Sequence, residues 1–213
     1  VYLKVKVKQT LISFVAFMLL NFVALAGEVT HIVRIPLHYS TADGTNYYSQ
    51  SWYDVIQVPP FDTSLGTLIR VEFSIHQLTQ FQFFYENLSP GGGRPVTWER
   101  ISSKLVVRRL GYAKDLAKAV FVHNFVSILS GPGDGLLDWD GSGGYTSPIM
   151  TRYRRGPSSF RMDVSLLNYF SQANVYLDVY GSSRFRFTSY DAWWAMGMHH
   201  HNGAELGITY FYS

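Results

Sequence analysis

The chain reads as an all-β protein, an antiparallel β-sandwich of jelly-roll kind, on three observations. Apolar and polar residues alternate with period two in several separate runs, Gly- and Pro-rich corners divide those runs, and no helical segment recurs between them. Period two marks a strand with one wet face, and strands without interleaved helices must bury that apolar face against another sheet. Aromatic residues make up 16% and charged residues 15% of the 213, a balance that suits large side chains between sheets and excludes a disordered or coiled-coil chain. This length fits one β domain, residues 27–213, behind a short leader.

The leader comes first. Lys4, Lys6 and Lys8 precede an apolar run from Leu11 to Ala26, broken by Ser13 and Asn21, which closes on Ala24-Leu25-Ala26. This is the build of a signal peptide over residues 1–26: a basic end, an apolar helix and small residues for the peptidase cleft. The apolar run is shorter than the roughly 20 residues of a bilayer span, so membrane association is expected only through an uncleaved leader. The chain carries 18 basic and 15 acidic residues, and removing the three leader lysines leaves fifteen against fifteen. A mature chain without net charge offers no basic face for nucleic acid. No cysteine is present, so stability rests on burial and sheet hydrogen bonds.

The first strand follows. Val29, Val33, Ile35, Leu37 and Tyr39 share one face, with Thr30, Arg34 and His38 on the other. A polar stretch with an Asp43-Gly44 turn signal leads to Trp52–Val58, which Pro59-Pro60 must end because proline donates no ladder hydrogen bond. Ile69, Val71, Phe73 and Ile75 then alternate with polar residues, and Phe81, Phe83 and Tyr85 resume the same parity beyond Gln77, Thr79 and Gln80. This predicts one long strand with a bend or bulge near 76–80, ending before Ser89-Pro90 and the Gly91–Gly93 tip. Val96–Arg109 is another strand, Ala113–Ala119 a short helix, and Val120–Leu129 a central strand covered on both sides. Gly131–Gly144 is an acidic, glycine-rich loop. Asp163 caps a helical turn at Val164–Phe170. Val175–Val179 and Phe185–Phe187 read as a hairpin about Gly181-Ser182-Ser183, and Leu206–Tyr212 as the last strand.

Four blocks stand out in this frame: PPFDTSLGTL at 59–68, LLDWDGSGGYTS at 136–147, DVSLLNYFSQANVYLDVYGSS at 163–183 and AELGITYFY at 204–212. In this order they resemble the choice-of-anchor E domain, a bacterial extracellular β module named for the varied C-terminal sorting tails that follow it. The resemblance implies an extracellular or cell-surface β domain and brings no fixed activity. The chain departs from the pattern after its closing strand, where Ser213 follows with no apolar or basic tail, so a released protein is expected.

Several constellations bear on chemistry. Asp134, Asp138 and Asp140 supply the oxygen donors that calcium favours, but the twelfth position from Asp138 is Ile149, so the loop is no EF-hand, and Asx-turns explain the same residues. His199, His200 and His201, after Met196 and Met198, could hold zinc or copper only in a loop, since strand neighbours point to opposite faces. Tyr190, Trp193 and Trp194 offer flat apolar faces of the kind that stack on sugar rings, or else pack in the core. Arg152, Arg154 and Arg155 read as a solvated turn, or as a meeting point for phosphate or acidic polysaccharide. Gly141, Gly143 and Gly144 lack the helix and lysine of a phosphate loop. Asn87-Leu88-Ser89 matches a glycosylation sequon. No nucleophile elbow, zinc-helix motif or cysteine nucleophile occurs.

The sequence therefore points to an exported, non-enzymatic β-sandwich with a structural or adhesive role outside a bacterial cell. Its partners would be extracellular matrix, a glycan or a second copy of itself. A carbohydrate-binding module using the exposed aromatics is the alternative, and an envelope hydrolase the third reading. No cofactor is implied apart from calcium.

Overall fold

The computed structural model describes residues 26–43, 47–90, 95–124, 128–129, 131–141, 143–189 and 194–213. The proposed leader lies outside them, apart from Ala26. The strands are β1 (Gly27–Asp43), β2 (Tyr47–Val58), β3 (Leu68–Asn87), β4 (Pro95–Arg109), β5 (Asp115–His123) and β6 (Ile128–Leu129), then β7 (Gly144–Thr146), β8 (Met150–Arg155), β9 (Ser159–Arg161), β10 (Val175–Ser189) and β11 (Trp194–Tyr212). Among the described residues, one helix, α1 (Val164–Phe170), and a 3₁₀ turn at Thr63–Leu65 complete the set. Among the described residues, no helix is long and apolar enough to cross a membrane.

Every pairing is antiparallel, and the strands form two sheets. The first runs β1-β11-β3, with β7, β8 and β9 each on the far side of β3; the second runs β2-β10-β4, with β5 and β6 on the far side of β4. Their inner faces pack together as a β-sandwich, as the alternation predicts. Val71, Phe73 and Ile75 of β3 meet Leu206, Ile208 and Tyr210 of β11, and Leu105, Val107, Leu177 and Val179 come from the opposite sheet; all are fully buried. Burying each such side chain contributes about 1.5–3 kcal/mol. A second apolar cluster holds Phe81, Phe83, Tyr85, Ile101, Phe121, Phe185 and Met198.

One end of the larger cluster is closed by the corner that the sequence marks so strongly. Pro59 and Pro60 stop β2, and the Tyr210 hydroxyl donates to the Pro59 carbonyl at 2.7 Å. Asp62 Oδ1 accepts from the Ser64 amide at 2.9 Å and caps the 3₁₀ turn. Gly66 follows at φ +140°, where a Cβ would fall 2.5 Å from the Ser213 carbonyl oxygen, so glycine is required on two counts. Thr67 and Ser213 exchange backbone hydrogen bonds at 2.9 and 3.1 Å. Helix α1 covers the same end. Asp163 Oδ1 accepts from the Leu166 amide at 3.0 Å, as expected of a cap, and Leu166, Tyr169 and Phe170 are buried.

Local readings change where packing overrides pattern. β1 carries a bulge between Ile35 and His38, which reverses its parity: Leu37 and Tyr39 turn to solvent, and the His38 ring stacks on Trp52 at 3.7 Å. A register shift beside Phe211 buries Leu68 and leaves Ile69 40% exposed. No bend interrupts β3 at 76–80, where its pairing with β11 is continuous. Residues 115–119 belong to β5 and not to a helix, despite Ala117, Lys118 and Ala119, because sheet pairing outweighs a weak propensity. β5 lies outside β4 instead of centrally, so Val120 and Val122 are exposed, 40% and 42%. Finally, β10 runs straight through Gly181-Ser182-Ser183 with no hairpin. Gly181 makes room for Trp52, whose ring would meet an added Cβ at 1.9 Å.

Candidate functional site

The outer face of the first sheet carries a cleft built by the β1 bulge. Register places Arg34, Glu205, His76 and Arg155 in one row across β1, β11, β3 and β8. Arg34 Nε lies 3.7 Å from Glu205 Oε1, an exposed pair that sets orientation more than stability. In the neighbouring row, Gly203 opposes Leu78, which opposes Tyr153. Gly203 projects no side chain, and a Cβ there would fall 2.8 Å from the Ile35 carbonyl oxygen, so the bulge presses directly on it. The result is a cleft of about 450 Å³, with Leu37, Leu78 and Tyr153 as apolar walls and Arg34, His76 and Glu205 as a polar rim. Tyr153 is 77% exposed. The arginines around it lie on strand β8, not in a turn, and Arg152, Arg154 and Arg155 are exposed.

The three histidines lie on β11 and do not converge. His199 and His201 face outward on either side of Tyr39, at ring distances of 5.5 and 4.9 Å, while His200 points into the sandwich. Among the described residues, no three His, Asp or Glu side chains converge as a metal site.

His200 belongs to a polar belt that the alternation pattern conceals. Gln77, Thr79, His200 and Asn202 from the first sheet face Ser103 and Ser183 from the second, all buried, between the two apolar clusters. Gln77 Nε2 donates to Ser103 Oγ and Asn202 Oδ1, both at 2.9 Å, and Ser183 Oγ lies 3.2 Å from His200 Nδ1. Burial first, and then the neighbouring His201 charge, push His200 down to about 4, so the ring is neutral in the folded chain at neutral pH. The polar residues at 77 and 79 that suggest a bend are the inward side of this belt.

The acidic loop is pinned over the far end of β3. Asn87 donates its side-chain amide to the Gly131 carbonyl at 2.9 Å and its backbone amide to the Gly143 carbonyl at 3.0 Å. Gly133 and Gly143 lie so close to the Asn87 carbonyl oxygen that a Cβ would fall 2.0 and 2.7 Å from it. The loop backbone is contorted, with Gly135, Trp139 and Gly141 all at positive φ. Asp134 and Asp138 accept the amides of Leu136 and Asp140, two residues on, as Asx-turns, and Asp140 accepts the adjacent Gly141 amide. Beneath them lies Glu86. By parity it faces outward from β3, yet the loop buries it completely. Both carboxylate oxygens are buried without a hydrogen-bond partner. Burial pushes its pKa up, Asp138 and Asp134 add to the shift, and the approaching Trp139 and Asp140 amides only partly oppose it.

Tyr190 and Trp193 lie outside the described residues, and Trp194 opens β11 with its side chain also outside the description. The sequon asparagine is only 1% exposed and held on both sides, since Ser89 N also donates to its Oδ1, which removes it as an acceptor for glycan attachment. On the outer face of the second sheet, Arg100 opposes Arg186 and Ser102 opposes Arg184, lining a shallow pocket of about 280 Å³. Sequence reading missed this pocket, the cleft and Glu86, because each depends on strand register. The parity signals were nonetheless present: a glycine in an outward row at 203 and an acidic residue at an outward position of β3.

No family model and no curated protein matches the chain. Several solved structures align with most of the chain, all at TM-scores of 0.25 or below. A structure of infectious bursal disease virus Gx strain is 9% identical, covering 87% of this chain and 40% of its own, with a TM-score of 0.20. Desmodium yellow mottle tymovirus is 9% identical over 85% and 87% of the two chains, with a TM-score of 0.20. A CocE/NonD family hydrolase from Staphylococcus aureus is 7% identical over 88% and 37%, with a TM-score of 0.25. The chain thus spans well under half the length of the first and third.

Proposed function

We propose that this chain is an exported, non-enzymatic β-sandwich of the choice-of-anchor E kind that serves an adhesive role outside a bacterial cell and holds a glycan in the cleft on its first sheet. The cleft carries the reading. Tyr153 presents an exposed aromatic face beside Leu37 and Leu78, and Arg34, His76 and Glu205 supply hydrogen-bond donors and acceptors at the rim. A sugar ring asks for this pairing of a flat apolar surface with polar edges. The leader residues Lys4, Lys6, Lys8, Ala24 and Ala26 support export.

The jelly-roll reading rests on strand order. Counting β5–β6 as one strand and β7–β9 as another, the sheets run first, eighth, third, sixth and second, seventh, fourth, fifth. This order supports a jelly roll, an architecture that lectins use to present binding surfaces.

A glycan array probed with the purified chain tests the function. Binding should be lost in Tyr153→Ala and weakened by about tenfold in Glu205→Gln, consistent with one hot-spot aromatic and one rim contact. A blank array, or binding that both variants retain, would overturn the assignment to this cleft.

A further inference from the structure

We propose that Glu86 and the loop above it form a binding site for a hard divalent cation, calcium by preference, with the Glu86, Asp134 and Asp138 carboxylates as ligands. A fully buried glutamate whose two oxygens make no complete hydrogen bond is costly unless something compensates its charge. The Trp139 and Asp140 amides approach it but offset only part of that cost. The two groups whose charges act on Glu86 are Asp138 and Asp134, both acidic. Such a concentration of like charge over a buried carboxylate is stable when a cation neutralises it.

The donors are all oxygens, which selects calcium or magnesium over zinc or copper. Asp134 and Asp138 each use only Oδ1 in an Asx-turn, and Asp134 Oδ2 already leans over the loop, 3.4 Å from where a Gly141 Cβ would be. Both aspartates are exposed, so neither side chain is held by packing. The three carboxylates do not converge as they stand, so the proposal requires the two exposed aspartates to turn toward Glu86 around the cation. Calcium is favoured over magnesium because a loop of irregular backbone cannot meet strict octahedral demands. Gly143 is needed beside the site, since a Cβ there would fall 3.0 Å from Glu86 Oε1. The site is independent of the glycan cleft, which lies further along the same sheet.

The test uses the full chain, dialysed against chelator, with Ca²⁺, Mg²⁺ and Tb³⁺ as probes. Ca²⁺ should raise the melting temperature saturably by mass action, and Mg²⁺ should do so less. Tb³⁺ should luminesce on indole excitation, because Trp139 sits in the loop, and Ca²⁺ should quench that signal by displacement. Glu86→Gln and Asp138→Asn should each weaken Ca²⁺ by about tenfold or more, since affinity follows ligand charge. If Glu86→Gln does not fold, the exposed Asp138→Asn and Asp134→Asn decide. No melting shift and no sensitised emission at millimolar ion would overturn the proposal, as would full affinity in the aspartate variants.

Discussion

Replacing His200 with glutamine isolates how the core responds to acid. The buried ring is held down to about 4 against an ordinary 6.5, so as pH falls the unfolded chain takes up this proton first. The sign follows directly. Above about 6.5 the residue contributes nothing to pH dependence, and between 6.5 and 4 it removes stability progressively, because the folded state cannot share the proton. With those two values, the loss is about 2 kcal/mol at pH 5 and about 3 kcal/mol at pH 4, at 1.36 kcal/mol per unit. Glutamine keeps a polar group opposite Ser183 but carries no titrating proton. Urea unfolding at steps from pH 7 to pH 4, followed by tryptophan fluorescence, should give a difference curve between the two chains that closes by this amount. Carboxylates common to both cancel in the subtraction. Parallel curves, agreeing within about 0.5 kcal/mol after a constant offset, would refute the claim that folding keeps this imidazole neutral.

Glu86→Gln should change sign with calcium. In chelator at pH 7 it should stabilise the chain, since a carboxyl with a raised pKa gives up stability as pH rises through that value; in millimolar calcium it should destabilise, and melting temperatures in both buffers read the crossing. Gly181→Ala should cost about 1–3 kcal/mol by forcing Trp52 aside, and an unchanged denaturation midpoint would count against that contact. Asp163→Ala should cost about 1 kcal/mol through loss of the α1 cap, measured by thermal unfolding, and asparagine should restore most of it.

The alternation of Val71–Ile75 and Leu206–Tyr210 was enough to reveal two packed sheets, because burial on one face imposes period two regardless of partner. The Pro59–Gly66 corner and the Asp163 cap were equally legible, since proline, glycine and a capping carboxylate act within a few residues of themselves. What escaped were events that depend on a partner strand. Gly181 imitates a turn until Trp52 is seen beside it, and Ala113–Ala119 imitates a helix until β4 pairs with it. Gln77 and Thr79 imitate an interruption because a polar inward residue is read from sequence as an outward one. The candidate sites were legible only in pieces: the three aspartates from composition, but neither Glu86 beneath them nor the glycine floor at 203.

The two described ends of the chain meet, with Gly27 paired to Tyr212 beside the Pro59 corner, while the acidic loop is tied to Asn87 at the other end of β3. Twenty residues of strand separate these two regions, about 60 Å before twist is allowed for. A molecule fastened to a support through either end would therefore hold the loop at its distal tip. Surface immobilisation, whether by a cell or on a sensor chip, would leave that tip pointing into solution.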